Sequence, residues 1–552
     1  MADTGYILAY DVGTTALKTC LFSLDGALIL RAFAQRPYPL AVFPNGGAEQ
    51  QPEDWWNAMC ITTREVLESA GVSPEEIAGL SFCSQMQGLV LVDKEANPVR
   101  PAMSYMDQRA VEEYEAGMAF GVKLSGINIF RLLRSLAITS AVAGSVKDPV
   151  WKYKWVQRNE PENFSRVYKW LDVKEFLIAR CTDEFVMTTD SAFATLLYDV
   201  RPGHEGFSKE MCTMLGVDYA HLPHIIRSTE QAGGLTERAA TALGLKPGTP
   251  VFGGGGDASL IGVGAGAVDV GSTHLYMGTS GWVSTVIDRP TLDISAMIAG
   301  VVGAEPGSYN YFAELETAGK CLEWVKNHLA LDEIGVYLQK VNIADGQEAA
   351  YRSLYDYMMH VIAAIPAGSN GVIFTPWLHG NRCPFEDTNA RGMFFNIGLE
   401  TGKTELIRSV IEGVCYHMRW MLEEQGKKVK TSPVIRFVGG GALAPLTCQI
   451  LADVLGRPVE TVDDPQNVGA VGAALVAAVG LGALPDLSQA KTLIPACCRY
   501  EPNPENKAVY DNGFAVFKNL YAANKKNFAA LNKTVVEHQA ASAAGLEQLK
   551  DH

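Results

Sequence analysis

A run of four glycines at positions 253–256, between a short apolar segment and the single carboxylate Asp257, constrains this chain more than any other feature. Glycine lets the backbone turn sharply and lets another segment or a ligand approach closely. The small-residue segment 260–268 that follows is compatible with a helix. Alone, the run predicts either a strand-to-helix turn capped by Asp257 or a carboxylate held in a cleft between two halves.

The size and charge of the chain exclude several classes of protein. At 552 residues it is too long for one hydrophobic core, so two or more domains are expected. A net charge of −15 argues against a nucleic-acid partner. The 11 cysteines form no metal-type CxxC pairs, which favours a reducing, cytoplasmic location. We find neither a signal-peptide pattern nor an uncharged apolar run of membrane-spanning length, so no membrane partner is expected.

Strand and helix patterns alternate along most of the chain, which indicates α/β domains. Residues 6–10 and 17–22 predict two strands around a tight turn, and a strand, Gly-Thr turn, strand pattern recurs over residues 274–286. These two hairpins indicate either a duplicated domain or a chance similarity of turns. An amphipathic helix is predicted over 404–425, and a tightly packed small-residue helix after 466. A loose tail is predicted from residue 539.

Both Gly-Thr turns offer groups that suit a phosphate. The first, residues 11–15 followed by Lys18, presents backbone N–H groups, two hydroxyls and an ammonium. Asp11 at the end of the first strand could hold a hydrated Mg²⁺. Two such hairpins facing one another would bind a polyphosphate from both sides. The sequence has no GxxxxGK[ST] P-loop, and the glycines at 253–256 do not meet the spacing of a dinucleotide fingerprint.

Taken in order from about residue 6 to about residue 482, the motifs resemble the FGGY family of carbohydrate kinases. Each motif alone is weak evidence for the family. The resemblance depends on their occurring in the same order over most of the chain. The Ser-Gln-Met and Asp-Gln-Arg elements are most similar to xylulose kinases within the family. The matching elements are Asp11-Val12-Gly13-Thr14-Thr15, Glu49-Gln50, Trp55-Trp56, Ser84-Gln85-Met86, Asp107-Gln108-Arg109, Lys152-Tyr153 with Trp155, Gly254-Gly255-Gly256-Asp257, Gly278-Thr279-Ser280, Arg391-Gly392, Glu412-Gly413 and Gly439-Gly440-Gly441-Ala442.

The resemblance implies an α/β protein with two actin-like domains, of the ribonuclease H-like type shared with Hsp70 and hexokinase, around a central cleft. Residues 1–260 would bind sugar and phosphate, residues 261–500 would bind nucleotide, and residues 501–552 would form a helical extension and tail. It also implies an enzyme that uses ATP and Mg²⁺ to phosphorylate a hydroxyl of a small-molecule sugar. A homodimer is one possible assembly of such an enzyme.

The resemblance also implies a role for individual residues. Asp257 would be the catalytic base that accepts the proton of the attacking sugar hydroxyl, and Asp11 would hold Mg²⁺ through water. The residues implied in nucleotide binding are Asp11, Thr14, Thr15, Lys18, Gly278, Thr279, Gly319, Gly440, Gly441 and Ala442. The residues implied in sugar binding are Gln85, Met86, Gln87, Asp107, Arg109 and Asp257.

The chain departs from the usual xylulose kinase pattern at several positions. Gln87 stands where a His is usual, Tyr105-Met106 where Trp-Asn is usual, and residues 379–382 read His-Gly-Asn-Arg where Gly-Glu-Arg is frequent. The departures leave the sugar open, so xylulose is the leading candidate, and ribulose, glycerol and gluconate remain alternatives.

Other interpretations remain beside these. Lys18 could be a solvated strand residue and Arg109 part of a surface ion pair, and the tryptophans at 55, 56 and 155 are predicted in the core rather than as sugar platforms. An actin-like or Hsp70-like nucleotide switch would hydrolyse ATP without a small-molecule acceptor. A non-catalytic pseudokinase is the last alternative, and the retained Asp11 and Asp257 argue against it.

Overall fold

Two large β-sheets, one in each half of the chain, form the frame of the computed structural model, which describes residues 5–24, 28–124, 126–329 and 354–548. The strands of the first sheet are β1 (Tyr6–Val12), β2 (Ala16–Leu24), β3 (Leu28–Pro37), β4 (Ile77–Ser84), β5 (Gln231–Gly234), β6 (Pro250–Phe252) and β7 (Gly255–Gly256). Their order is β5-β6-β4-β1-β2-β3, with β7 also beside β4. Residues 7–10 of the central strand β1 are fully buried, as expected for a strand covered on both faces.

The second sheet belongs to the C-terminal half and has eight strands. These are β8 (Thr273–Met277), β9 (Gly281–Ile287), β10 (Leu292–Asp293), β11 (Ile298–Val302), β12 (Tyr309–Leu315), β13 (Ile435–Val438), β14 (Val459–Thr461) and β15 (Cys498–Tyr500). Their order is β10-β11-β12-β9-β8-β13-β14-β15.

The cores of the two sheets share one topology. In the first, β3, β2 and β1 pair antiparallel, and β4 and β6 then continue parallel to β1. In the second, β12, β9 and β8 pair antiparallel, and β13 and β14 continue parallel to β8. The duplicated domain predicted from the two Gly-Thr hairpins is thereby confirmed, and a chance similarity of turns does not explain five matched strands.

Shorter strands pair outside these two sheets. They are Ala41–Val42, Ala48–Gln50 and Ala102–Met103 in one sheet, and the pairs Val90–Val92 with Lys169–Leu171, Lys123–Leu124 with Ile127–Asn128, Val186–Thr188 with His224–Ile226, Tyr198–Asp199 with Gly206–Phe207, and Ile373–Thr375 with Met393–Phe395.

Helices cover the sheets and fill the connections between strands. They are α1 (Pro52–Ala70), α2 (Val111–Gly117), α3 (Ile129–Thr139), α4 (Pro149–Asn159), α5 (Pro161–Phe164), α6 (Val173–Thr182), α7 (Thr189–Ala194), α8 (Lys209–Leu215), α9 (Glu237–Leu243), α10 (Asp257–Gly264), α11 (Gly319–His328), α12 (Leu354–Ile362), α13 (Lys403–Gly426), α14 (Pro445–Leu455), α15 (Val468–Gly480), α16 (Ala490–Leu493) and α17 (Lys507–Gln548). The amphipathic helix predicted over 404–425 is α13.

Helix α17 corrects one expectation. It continues to Gln548, so the prediction of a loose tail from residue 539 is wrong over that stretch. The segment is rich in alanine, which has the highest helix propensity of all residues. Residues 549–552, also part of the predicted tail, lie outside the described residues. Among the helices that the structure describes, none combines the length and apolar character needed to cross a bilayer.

Helices α10 and α15 pack closely against each other and join the two halves. A Cβ on Gly264 would lie 1.8 Å from the carbonyl oxygen of Val468, and one on Gly472 would lie 2.3 Å from that of Leu260. The contact therefore requires glycine at both positions. It confirms the tight packing predicted for the small-residue helix after residue 466, and Asp257 is the first residue of α10.

Candidate active site

A cavity of about 440 Å³ is lined by residues from both halves of the chain. The two Gly-Thr hairpin turns, between β1 and β2 and between β8 and β9, both reach it. Its polar wall comprises Asp11, Thr14, Thr15, Lys18, Gln35, Gln85, Gln87, Tyr105, Asp257, Thr279, Ser280, Glu314, Arg382 and Gln466. The structure thus brings together the two predicted phosphate-binding turns and the predicted catalytic carboxylate.

Asp257 lies at the start of α10 with its carboxylate at the cavity. Gly256 takes the N-cap position, so Asp257 is not the helix cap. One carboxylate oxygen accepts a hydrogen bond of 2.8 Å from the amide of Ala258. Burial raises the pKa of Asp257 to about 7; the Ala258 amide opposes this rise, and the negative charges of Asp11 and Glu314 add to it. A carboxyl group with a pKa near neutrality suits proton transfer.

The turn before Asp257 is held from behind by a buried carboxylate. Asp190 is fully buried on α7, and its Oδ2 accepts a hydrogen bond of 2.7 Å from the amide of Gly256. Gly254 has φ +67°, and a Cβ there would lie 2.1 Å from the carbonyl oxygen of Phe82. The glycine run therefore serves both a left-handed turn and a close approach to β4.

At the first hairpin, Lys18 lies within the cavity rather than projecting into bulk solvent. Its ammonium donates to the carbonyl of Gln466 at 2.7 Å and lies 3.9 Å from Asp11 Oδ2. Burial raises the pKa of Asp11, and the charge of Lys18 opposes this rise. A Cβ on Gly469 would lie 3.1 Å from the Asp11 carboxyl carbon, so the start of α15 is beside this carboxylate.

The surroundings of Asp11 fit a magnesium ion. Asp11 and Asp257 are carboxylates of one cavity, and burial raises the pKa of both, so a cation beside them would stabilise their ionised forms. Within the described ranges no group of three or more potential metal-ligating side chains exists. One carboxylate with waters and substrate phosphates is a usual ligand set for Mg²⁺.

Gln85, Met86 and Gln87, which were predicted to bind the sugar, line the cavity. The side-chain amide of Gln85 donates to Gln50 Oε1 at 2.9 Å and to the Gly13 carbonyl at 3.3 Å. Its own Oε1 is buried and accepts no hydrogen bond from any group that the structure describes. The donor group of Gln85 is therefore used within the protein, and its acceptor is buried.

Asp107 and Arg109 lie away from this wall. Asp107 is fully buried and accepts a hydrogen bond from the Ala48 amide at 2.8 Å. Arg109 donates to Asp107 at 2.7 Å and to Glu49 at 2.6 Å, and its guanidinium lies 4.5 Å from the ring centre of Trp155. Asp107 is buried and Arg109 is half-buried, and the contacts of both are with other protein groups.

The glycines predicted in nucleotide binding, together with Ala442, divide into two groups. Gly278 and Gly440 line the cavity, whereas Gly319, Gly441 and Ala442 do not. A Cβ on Gly319 would lie 2.4 Å from the Gly278 carbonyl oxygen, and one on Gly441 would lie 2.5 Å from the sulfur of Met277. These two glycines allow close packing against the second hairpin.

Some cavity residues were missed by the sequence analysis as binding residues. Glu314 comes from β12 and lies 3.2 Å from Arg382, which belongs to the His-Gly-Asn-Arg stretch. Tyr105 accepts a hydrogen bond of 3.4 Å from Thr14. The departure from Gly-Glu-Arg drew attention to the stretch that contains Arg382. No sequence motif indicated that Glu314 lines the cavity.

The fold and the site define a two-domain, actin-like carbohydrate kinase. Residues 6–264 match the N-terminal domain of the FGGY family of carbohydrate kinases, and residues 274–481 match its C-terminal domain. The chain therefore belongs to this family, and it is a phosphotransferase.

Several relatives and solved structures span nearly the whole chain. The chain is 27% identical over 531 residues to a xylulose kinase of Bacillus subtilis (strain 168), covering 95% of this chain and 98% of the relative. It is 25% identical over 525 residues to a gluconokinase of the same strain, covering 94% and 96%.

Among solved structures, a gluconate kinase from Lactobacillus acidophilus has a TM-score of 0.80 at 25% identity, covering 96% of this chain and 100% of that one. A ligand-bound xylulose kinase from the same organism also has a TM-score of 0.80 at 25% identity, covering 95% and 99%.

Proposed function

We propose that this kinase transfers the terminal phosphoryl group of ATP to a hydroxyl of a neutral ketopentose, with D-xylulose to D-xylulose 5-phosphate as the leading reaction. The observation that carries the proposal is the position of the Asp257 carboxylate in the same cavity as both Gly-Thr turns. Phosphoryl transfer requires positioning, neutralisation of charge and a base for the attacking hydroxyl. This cavity contains side chains for all three tasks.

In this proposal the two hairpin turns hold the phosphates of ATP. Thr14, Thr15 and Lys18 act from the first turn, and Gly278 and Thr279 act from the second. Backbone N–H groups and hydroxyls of such turns bind phosphate oxygens, and the ammonium of Lys18 offsets their charge. Asp11 would hold Mg²⁺ through water, and that ion would neutralise charge on the phosphates.

Asp257 accepts the proton of the attacking hydroxyl in this proposal. Its pKa of about 7 means that a large fraction of the carboxyl groups is ionised at neutral pH while the group keeps a useful affinity for a proton. Closure of the two halves would exclude water, which would otherwise compete with the sugar for the phosphoryl group.

The acceptor lies against Gln85, Met86 and Gln87 in this proposal. Gln85 and Gln87 contribute polar side chains to this part of the cavity wall, and Met86 contributes an apolar one. Asp107 and Arg109 act indirectly, since their hydrogen bonds fix the loop that carries Tyr105.

A neutral sugar suits the cavity better than a sugar acid such as gluconate. Asp257 and Glu314 place two carboxylates at the wall, and the guanidinium of Arg382 is already paired with Glu314 at 3.2 Å. The carboxylate of a sugar acid would meet these like charges in a partly desolvated site. This arrangement favours the xylulose kinase relatives over the gluconokinase relatives as a guide to the substrate.

The test is ADP release by the wild-type enzyme with Mg·ATP, measured over ketopentoses, polyols and sugar acids. We expect stimulation by a neutral ketopentose, and at most weak stimulation by gluconate. A strong preference for gluconate would contradict the neutral-acceptor proposal. Turnover indifferent to every sugar would instead favour an actin-like or Hsp70-like nucleotide switch. The cytoplasmic location stays part of the proposal, since all 11 cysteines are free.

A further inference from the structure

We infer that Lys174 is a positioning residue for phosphoryl transfer, which fixes the turn before Asp257 through two side chains that lie between them. The inference rests on the proposed role of Asp257 as the base. It follows from a buried chain of hydrogen bonds behind the glycine run, which we call the lysine relay. The relay consists of Lys174 on α6, Thr188 directly before α7, and Asp190 on α7.

The ammonium of Lys174 has no proton left for a substrate. It is fully buried and donates to the hydroxyl of Thr188 at 2.6 Å, to that of Ser191 at 2.8 Å, and to the carboxylate of Glu175. An ammonium carries three donors and no acceptor, so these three partners use all of its protons. None of these four residues lines the cavity. Lys174 therefore acts only through other protein groups.

Lys174 sets the direction of the hydrogen bonds that follow it. Because the Thr188 hydroxyl accepts from the ammonium, its single proton is left for Asp190, and it donates to Oδ1 of that carboxylate. The other oxygen of Asp190 accepts from the amide of Gly256 at 2.7 Å. Gly256 is the N-cap of α10, so the relay ends one residue before the proposed base.

The glycine run packs directly against the relay. A Cβ on Gly253 would lie 2.8 Å from Cγ2 of Thr188, and one on Gly255 would lie 3.1 Å from Oδ2 of Asp190. The glycines therefore bring the backbone of the turn against both side chains. A shift of either side chain would move the turn, and a displacement of about 1 Å at a reacting group can cost about 100-fold in rate.

The positive charge of Lys174 matters because the relay ends on a buried carboxylate. Asp190 and Glu175 are both fully buried, and a buried carboxylate without a compensating cation takes up a proton. A protonated Asp190 would carry a donor of its own, which would compete with the hydrogen bonds from Thr188 and Gly256. Lys174 thus keeps Asp190 an acceptor for both.

The experiment measures kcat of Thr188→Val and Thr188→Ser with Mg·ATP and the sugar that gives the highest kcat/KM in the wild type. Valine keeps the shape of threonine without its hydroxyl, whereas serine keeps the hydroxyl. We expect kcat to fall by about tenfold or more in Thr188→Val and to be restored to within about threefold of the wild type in Thr188→Ser. Calorimetry should give both variants the nucleotide Kd and stoichiometry of the wild type, which separates a slower step from a loss of folded protein.

Two further variants separate positioning from stability. Ser191→Ala is the matched control, because it removes one partner of Lys174 and leaves the relay intact, so kcat should stay near that of the wild type. Thr188→Val combined with Asp190→Asn should lose little beyond Asp190→Asn alone, since both changes interrupt the same relay.

Wild-type kcat in Thr188→Val, an equal loss in Ser191→Ala, or multiplied losses in the double variant would overturn the inference and leave the role of Asp257 intact. Wild-type kcat in Asp257→Asn would instead contradict the proposed base, and the inference with it.

Discussion

The ammonium of Lys152 donates a hydrogen bond of 2.6 Å to the backbone carbonyl of Gln87, a cavity residue with φ +60°. The same ammonium donates to the carbonyl of Ser104 at 2.9 Å, one residue before Tyr105 of the cavity wall. A fully buried lysine thus joins two loops that reach the cavity. A non-glycine residue in the left-handed region persists only where its surroundings hold it.

Lys152→Met should raise KM for the sugar about tenfold or more and leave KM for ATP within about twofold. The reason is that the substitution releases the sugar-facing loops but not the phosphate turns. Steady-state kinetics with each substrate varied in turn measures the two constants. Lys154→Met on the same helix is the matched control, because Lys154 bonds to Gln157 and Gly216 outside the cavity. Equal changes in both KM values would refute a positioning role.

Lys18→Met should produce the reverse pattern. Lys18 lines the cavity at the first phosphate turn, so its loss should raise KM for ATP about tenfold or more and leave KM for the sugar nearly unchanged. The same kinetic measurements test both lysine variants. A Lys18→Met enzyme with a normal KM for ATP would support the alternative that this lysine has no phosphate contact.

The rate should depend on pH through Asp257. Only the ionised carboxylate accepts a proton, and burial raises its pKa to about 7. We therefore expect kcat/KM for the sugar to rise with pH up to a plateau above neutrality, with an apparent pKa near 7. A pH–rate profile between pH 5 and 9, at constant ionic strength, would reveal it. A profile that is flat through neutrality would argue against this assignment.

Because the pKa of the Asp257 carboxyl is raised in the folded protein, the Asp257→Asn variant should be more stable than the wild type at high pH. The carboxyl pKa is raised on folding from the ordinary value of 3.8, so the associated stability is full below about pH 4 and is lost as pH rises through about 7. Asparagine does not titrate. The gain in Tm of Asp257→Asn over the wild type should be larger at pH 8 than at pH 5 by thermal unfolding. An equal difference at both pH values would contradict the raised pKa.

Asp190→Asn should lower kcat about 10- to 100-fold, because its carboxylate holds the Gly256 amide one residue before the base. Misplacement of Asp257 affects the chemical step more than substrate binding, so both KM values should change less. Single-turnover and steady-state kinetics separate these effects. Wild-type kcat in a folded Asp190→Asn enzyme would show that this hydrogen bond does not position the base.

The parts of the site that sequence predicted are local in the chain. The hairpin at Asp11, the hairpin at Gly278 and the turn before Asp257 each consist of one short segment, so turn chemistry alone indicates them. The duplicated topology followed from recognising the two hairpins. The strand pairings confirm the hairpins and the duplicated topology, and the three segments line a common cavity.

The parts that sequence did not predict depend on contacts between distant segments. Glu314 and Arg382 are separated by 68 positions and meet only in the folded protein. Asp107 and Arg109 were expected at the sugar, but Glu49 and Trp155 surround the arginine, and those partners come from other elements. The polar motif therefore located a loop beside the cavity, but it did not show which side chains of that loop face the cavity.

The role of Asp257 as general base is tested most directly by kcat of the Asp257→Asn enzyme at saturating ATP and sugar, with the Kd of each substrate measured by calorimetry. We predict that both Kd values stay within about threefold of the wild type, and that kcat falls by about 10²- to 10⁴-fold, the usual contribution of a general base. A kcat within threefold of the wild type would contradict the account.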